Sequence, residues 1–500
     1  MCLLCALFGF TFNAHAGQWV EVGDAKLRHH LQVLADAGVL TTPLTTWPVM
    51  WSGVHKDLEA WQQAGNEDKD ENKNKRSRPS VKPQLSRLQQ RAFAYVLAAY
   101  QNQALERETK VAAEFREAIN IHPTFSNNQR EEQLLQFSTE QSYEKFAYKL
   151  QFQGLNDTSD DKEFRLDGSY IAGYMGNWQV SAGAIDRWWG PGWHGDLMLS
   201  NSARPVPGLA LQRNNADAFT APVLRWLGPW QLVLFAGLLE NDRAIAHPNL
   251  LGMRFTMKPF KWLELGVNRT AQWGGEGRTR SLESFIDLVL GNDNGDTGFS
   301  KDANPGNQLG SIDFRLGFSV FGQTLAWYGQ MAGEDETNFA PSKRFVMTGI
   351  ESAFDLLNIQ SRLYLEYTDT IANGYKADER YNVVYEHSNY QSGYRYRNRP
   401  IGFALDNDTR ELTLAAAHYF KDSNALNWSV SNIKLNMDGT NRSVGGNVWT
   451  TNRQDFWLGD VSYEHGFNTV TLSVGLQHFA YEVDKDADDS HFYTGVVYRL

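Results

Sequence analysis

Gln308-Leu-Gly-Ser-Ile-Asp-Phe-Arg-Leu-Gly-Phe318 carries two chemically opposite faces. Ile312, Phe314, Leu316 and Phe318 alternate with Ser311, Asp313, Arg315 and Gly317. Successive side chains of a strand point to opposite sides, so this spacing predicts one apolar face and one polar, partly charged face. A slip of one residue would exchange the two faces, and the pattern therefore specifies its own register. The same period runs through Thr469–Tyr481, where Val470, Leu472, Val474 and Leu476 alternate with Thr471, Ser473, Gly475 and Gln477. At the end of the chain Phe492, Val496, Tyr498 and Leu500 share one face. In a sandwich, charged pairs such as Asp313/Arg315 or Arg362/Glu366 would face solvent; in a closed barrel they line a lumen.

The connections sharpen the choice. Period two sets in at about Glu132, and strands are expected near 145–155, 163–175, 177–187, 195–202, 208–213, 219–227, 229–240, 249–258, 261–271, 308–320, 323–332, 343–354, 359–369, 409–420, 426–437, 454–466, 469–483 and 491–500. Tight links (Gly176, Leu227–Pro229, Lys258–Phe260, Phe321-Gly322, Asp355–Asn358, Lys421–Ala425, Gly466–Asn468) alternate with longer ones (Gln272–Asn307, Thr370–Asp408, Asp438–Arg453). Short periplasmic turns alternating with long outer loops mark a transmembrane barrel, and an even strand count puts both barrel ends in the periplasm. The fold expected is mainly β: an antiparallel transmembrane β-barrel of about 18 strands with a small N-terminal α-helical bundle.

Composition agrees. Aromatic residues make up 13% of the 500, with 42 Gly, 16 Trp, 20 Tyr and 28 Phe. Mean hydropathy is nevertheless −0.47, and no stretch approaches the roughly 20 apolar residues of a membrane helix. The net charge of −11 argues against a nucleic-acid partner. At the start, the apolar run Leu3–Phe12 and Ala14-His15-Ala16 read as a secretory signal over residues 1–16, although no Lys or Arg precedes the run. Cys2 and Cys5 both fall within it, which leaves a cysteine-free exported chain from Gly17 onward. Helical spacing then appears in Gly23–Ala37 (Leu27, Leu31, Leu34, with Gly38 as C-cap), in Ser52–Gln63 and in Pro83–Leu105. Gly65–Arg78 is a charged, Asn/Lys-rich solvated loop. Residues 17–130 are therefore expected as a periplasmic helical segment packed on itself, and 131–500 as an outer-membrane barrel of a Gram-negative bacterium.

Several motifs go beyond architecture. Gly183-Ala-Ile-Asp-Arg-Trp-Trp-Gly-Pro-Gly-Trp193 is followed by Leu199-Ser-Asn-Ser-Ala-Arg-Pro-Val-Pro-Gly208 and Leu211-Gln-Arg-Asn214. With Val22-Gly-Asp24, Leu34-Ala-Asp-Ala-Gly38, Thr45-Thr-Trp-Pro48, Arg165-Leu-Asp-Gly-Ser169 and Gly393-Tyr-Arg-Tyr-Arg397, they resemble the Wzi family of capsule-assembly outer-membrane proteins over most of the chain. The resemblance implies a barrel with a periplasmic helical bundle and a lectin-like protein that retains capsular or exopolysaccharide at the cell surface.

The residues themselves point to binding rather than catalysis. There is no G-x-S-x-G, H-E-x-x-H, P-loop or dinucleotide fingerprint, so no enzyme activity and no cofactor are expected. His387, His418 and His491 have no sequence-local partner. Asp484, Asp486 and Asp488 alternate like calcium-loop ligands, but Asp489 and Gly495 stand where such a loop needs Gly and Glu, so no metal site is assigned. The richest constellation is Thr370–Asp408, where Tyr390, Tyr394 and Tyr396 interleave with Arg395, Arg397 and Arg399. Rings offer apolar faces to sugars, and guanidinium forks pair with carboxylates. These six residues are the expected contacts for an acidic polysaccharide; the competing reading makes them a plug of the barrel mouth. Partners expected are that polysaccharide and outer-membrane lipid and lipopolysaccharide, around a monomer. A sugar- or solute-conducting porin is the alternative.

Overall fold

The period-two segments close on themselves. The computed structural model describes residues 19–64, 84–103, 107–156, 158, 160–290, 306–337, 340–373, 378–420, 423–440, 446–483 and 485–500. Its strands form one closed antiparallel barrel of 18. We number them β1 (Arg107–Arg116), β2 (Gln133–Ser142), β3 (Phe146–Asn156), β4 (Tyr170–Met175), β5 (Trp178–Gly183), β6 (Gly208–Arg213), β7 (Trp230–Leu238), β8 (Asn249–Phe260), β9 (Leu263–Trp273), β10 (Gly306–Val320), β11 (Gln323–Thr337), β12 (Ala340–Leu356), β13 (Ile359–Asn373), β14 (Arg410–Tyr419), β15 (Ala425–Leu435), β16 (Gln454–Gly466), β17 (Val470–Tyr481) and β18 (Asp489–Arg499). Closure is made by β18 on β1, with Tyr493 opposite Arg116 and Arg499 opposite Lys110. Among the described residues closure leaves the barrel sheet without a free edge, a requirement for strands in hydrocarbon.

The barrel is inside-out relative to a soluble fold. In β10, Ile312 is 54% exposed while Asp313 is 4% exposed. Across neighbouring strands Trp327, Ile350, Leu365, Leu414 and Val430 stand directly opposite one another, and all five are exposed. Such a continuous apolar band would be a liability in water and is the surface a bilayer requires. At the short-turn end, Phe260, Trp262 and Phe318 stack in series, as an interfacial aromatic girdle does.

The strand count agrees with expectation because two errors offset two omissions. The barrel begins at Arg107, not at 131, so β1 lies inside the stretch read as helical. Its outward residues are only Val111, Ala113 and Phe115 among charged neighbours, and β2 offers only Leu135 and Phe137 outward, too little for period two to stand out. Conversely, 195–202 is not a strand. Leu197, Met198 and Leu199 are apolar because they are buried inside the lumen, where both faces meet protein. The stretch 219–227 is a turn ending in a short 3-10 helix, Arg225–Leu227, at the short-turn end.

The N-terminal helices are α1 (Ala25–Asp36), α2 (Trp51–Ala64) and α3 (Arg87–Gln103). α1 starts where the Asp24 carboxylate accepts from Leu27 N at 2.8 Å, an N-cap. Their apolar faces share one core: Leu27, Leu31 and Leu34 with Leu88, Ala92 and Val96. The expected self-packing is thus present, but the segment does not stand apart from the barrel. Glu264 of β9 accepts from Leu44 N and Thr45 N at 2.9 and 2.7 Å, and Arg254 of β8 donates to the Thr45 carbonyl at 2.9 Å. Asp36 pairs with Arg315, which also pairs with Glu351. The charged inner face is therefore met by the N-terminal segment as well as by ion pairs within the barrel wall, such as Arg254–Asp313 and Arg315–Glu351. The signal (1–16) and the Gly65–Arg78 loop lie outside the described residues.

Candidate functional site

At the long-loop end, residues 378–409 fold back across the mouth. Arg395-Tyr396 and Arg399-Pro400 pair as a minimal hairpin. Arg397 and Asn398 between them have φ of 49° and 62°, the two-residue turn whose twist suits antiparallel strands. The hairpin points Arg395 into the plug. Its guanidinium contacts Asp406 at 2.8 Å and Glu386 at 2.5 Å and donates to the Gly446 carbonyl at 3.0 Å. Burial alone would weaken its hold on a proton; the two carboxylates outweigh that and keep it charged. Arg399 donates to the carbonyls of Ser202 and Asn120 at 2.7 and 2.6 Å and lies 5.1 Å from the Trp449 ring centroid. Burial without a close carboxylate pushes its pKa down to about 9.

The tyrosines behave alike. Tyr390 donates to the Gly274 carbonyl and Tyr394 to that of Met198, both at 3.0 Å. Tyr385 donates to Leu197 O at 2.8 Å and accepts from Phe403 N at 2.9 Å. Tyr396 is 4% exposed. Of the six residues expected to touch polysaccharide, Tyr390, Tyr394, Arg395, Tyr396 and Arg399 are buried, with their charged and phenolic groups engaged within the protein. Arg397 alone keeps a partly exposed side chain, 26%, beside Asp160 at 3.5 Å and 5.5 Å from the Tyr396 ring centroid. The aromatic and arginine-rich composition of this loop therefore builds the mouth's closure first. The Trp-rich run is structural in the same sense. Trp188 and Trp189 are fully buried and pair with Trp47 and Thr46 of the N-terminal segment. The Trp193 and Gly195 amides donate to Glu366 of β13 at 2.9 and 2.7 Å.

Below the mouth, a polar cavity of about 230 Å³ follows β1–β3. Lys149, Gln151 and Gln153 reach it from alternate positions of β3, together with Gln136 and Ser138 of β2. Trp19 and Tyr170, 4.4 Å apart between ring centroids, lie at the short-turn end. Arg130, Arg165 and Asp167 lie at the other end. Lys149 is held by Glu21 at 2.6 Å. Amides, a cation and ring faces in one recess suit a saccharide unit or water. The alternation Lys149-x-Gln151-x-Gln153 was the only signal of it in the sequence, and nothing there separates it from an ordinary lumen face. Of the acidic run Asp484–Asp489, Asp484 lies outside the described residues. Asp488 accepts from Tyr481 N at 2.7 Å, and Asp489 pairs with His491 at 2.8 Å.

Comparison with known proteins places this architecture. The chain resembles a solved outer-membrane protein of Escherichia coli, Wzi, described as a carbohydrate-binding β-barrel involved in group 1 capsule assembly. Identity is 27%, 96% of this chain and 99% of that one are covered, and the TM-score is 0.79. A Klebsiella pneumoniae protein described as an uncharacterized 55.8 kDa protein in the cps region is 33% identical over 356 residues. That match takes in 70% of this chain and spans 65% of the relative's length. The family model for capsule assembly protein Wzi matches residues 90–492. The chain belongs to the capsule assembly protein Wzi family.

Proposed function

We propose that this protein holds an acidic capsular or exopolysaccharide at the long-loop end of an outer-membrane barrel and performs no catalysis. Family membership and the carbohydrate binding described for the Escherichia coli relative support this reading. The observation that carries it is the mouth itself: an ion-paired plug offers a rigid outer face rather than a passage, and Arg397 stands partly exposed on that plug. The short-turn end with its helices faces the periplasm, the long-loop end faces outward, and lipid and lipopolysaccharide surround a monomer. Buried arginines and tyrosines position this face; Arg397 and its neighbours contact the polymer.

Arg397→Gln tests the reading. A charge-assisted contact to a carboxylate contributes about 1.5–3 kcal/mol, so polymer affinity should fall roughly tenfold or more while heat-modifiability on gels stays that of the parent. Cells should release polysaccharide into the medium at unchanged total synthesis. Unchanged retention would move the binding surface elsewhere on the mouth. The cavity along β1–β3 favours one second reading, a narrow conduit. Stable single-channel openings in planar bilayers would support it; the plugged lumen leads us to expect none.

A further inference from the structure

Several buried carboxylates in this lumen meet arginine: Asp313 pairs with Arg254, Glu351 with Arg315 and Arg362, Glu131 with Arg165, Asp406 with Arg395. Glu411 of β14 is different. Among the described residues its ion-pair partners are two imidazoles, His122 Nε2 at 2.9 Å from Oε2 and His194 Nε2 at 3.4 Å from Oε1. His122 lies in the 117–132 connection and His194 in the 184–207 connection, both folded into the lumen, so three separate parts of the chain meet here. All three side chains are buried, at 3%, 6% and 3% exposure. Their ligand atoms all lie within 4.8 Å of one another.

We propose that His122, His194 and Glu411 bind one divalent transition-metal ion of the zinc class, which fastens both inward-folded loops to the barrel wall. Two imidazoles and a carboxylate are a donor set suited to zinc, nickel or iron and poorly suited to calcium or magnesium. Around a tetrahedral ion with bonds of about 2.0–2.1 Å, neighbouring donor atoms lie roughly 3.3 Å apart. The two contacts to Glu411, one to each carboxylate oxygen, lie near that spacing, and with all three ligand atoms within 4.8 Å of one another the ion is reached by side-chain pivots. The carboxylate is already oriented by Thr413, whose hydroxyl donates to Oε1 at 2.9 Å. The second nitrogen of His194 faces the Tyr364 hydroxyl at 3.5 Å, the outer support a metal-bound imidazole ordinarily has. His122 Nδ1 has no hydrogen-bond partner among the described residues, so this imidazole is positioned by its Glu411 contact and its packing rather than by an outer hydrogen bond like that of His194. One ion with three ligands brings +2 against −1 and keeps a fourth position for water. The competing arrangement is a proton-bridged His–Glu–His cluster with no ion.

The test uses the full-length barrel purified in detergent without chelator, then stripped and titrated with zinc or cobalt. We expect one metal equivalent per chain by elemental analysis. Cobalt should give the visible bands of a low-coordinate site, and metal should raise the temperature of the heat-modifiability transition. His122→Gln and His194→Gln should each remove the stoichiometric ion and the metal-dependent shift while the barrel still folds. Wild-type protein that binds only substoichiometric metal, shows no low-coordinate cobalt bands and no thermal shift would overturn the proposal. So would equal binding by the variants. If a variant does not fold, the wild-type cobalt spectrum decides alone.

Discussion

Replacing Arg395 by Gln should unseat the plug and leave the barrel wall intact. Arg395 is 6% exposed and answers two carboxylates, Asp406 and Glu386, the former wholly buried. Gln keeps some hydrogen-bonding reach but no charge, so Asp406 would remain buried and unpaired. Breaking a buried pair by removing one partner costs about 3–5 kcal/mol. At about 1.4 kcal/mol per tenfold change, the open form of the plug should gain about a hundredfold to several thousandfold in population. None of the affected contacts belongs to the strand ladder, so heat-modifiability should persist. The assay is amide hydrogen exchange of residues 382–408 in detergent micelles, with limited proteolysis of the same stretch. Arg397→Gln serves as control, because its ion pair among the described residues, to Asp160, is long at 3.5 Å. Arg395→Gln combined with Asp406→Asn should recover part of the protection, since it removes the stranded charge. Unchanged exchange in 382–408 for the single variant would refute the view that this ion pair holds the mouth closed. The same reasoning predicts that the Arg395/Arg397/Arg399 triple Gln variant loses the plug, and so cannot report on polymer contact alone.

Two further outcomes follow. Burial pushes Asp408 up to about 7 from an ordinary 3.8, with Asp438, Asp406 and Glu386 adding to the shift. A raised carboxyl pKa means the seated plug holds its proton more tightly than the released loop. Protection of 382–408 should therefore grow as pH falls from about 7 towards 4 and be weakest above 7; Asp408→Asn should weaken this dependence and leave the smaller part that buried Asp406 contributes, and a pH-independent parent would refute the assignment. Leu365, in the lipid-facing row of β13, should tolerate no charge: Leu365→Arg should cost about 2–4 kcal/mol in urea titrations of vesicle-inserted protein, and a neutral effect would displace this row from the bilayer midplane.

How much was legible beforehand varies along the chain. β8–β18 were readable, because each has one face in lipid and one in the lumen, and period two is the direct record of that difference. β1 and β2 were not, since their outward faces are short and partly made of Ala113 and polar neighbours. Leu197-Met198-Leu199 was misread for the opposite reason. A segment buried on all sides is apolar without period, and composition cannot separate it from a strand. Within the mouth, the sequence showed arginines and tyrosines gathered in Thr370–Asp408 but could not say which way they point.

The sequence by itself determined the closed antiparallel barrel, its outward apolar band, its approximate strand number and the family to which it belongs. These are local properties: alternation, turn length and short motifs need no knowledge of distant residues. Only the tertiary structure decided what fills the lumen and what the arginines do. Arg395 finds Asp406 only 11 residues away, but Arg399 binds Ser202 and Asn120 across 197 and 279 residues. Glu411 meets His122 from 289 residues away. A polar inner face is compatible with water, substrate or protein in the lumen, because each can satisfy hydrogen bonds and charge equally well. Which one does so is set by loops and helices that fold back from remote parts of the chain, and strand periodicity carries no trace of that return.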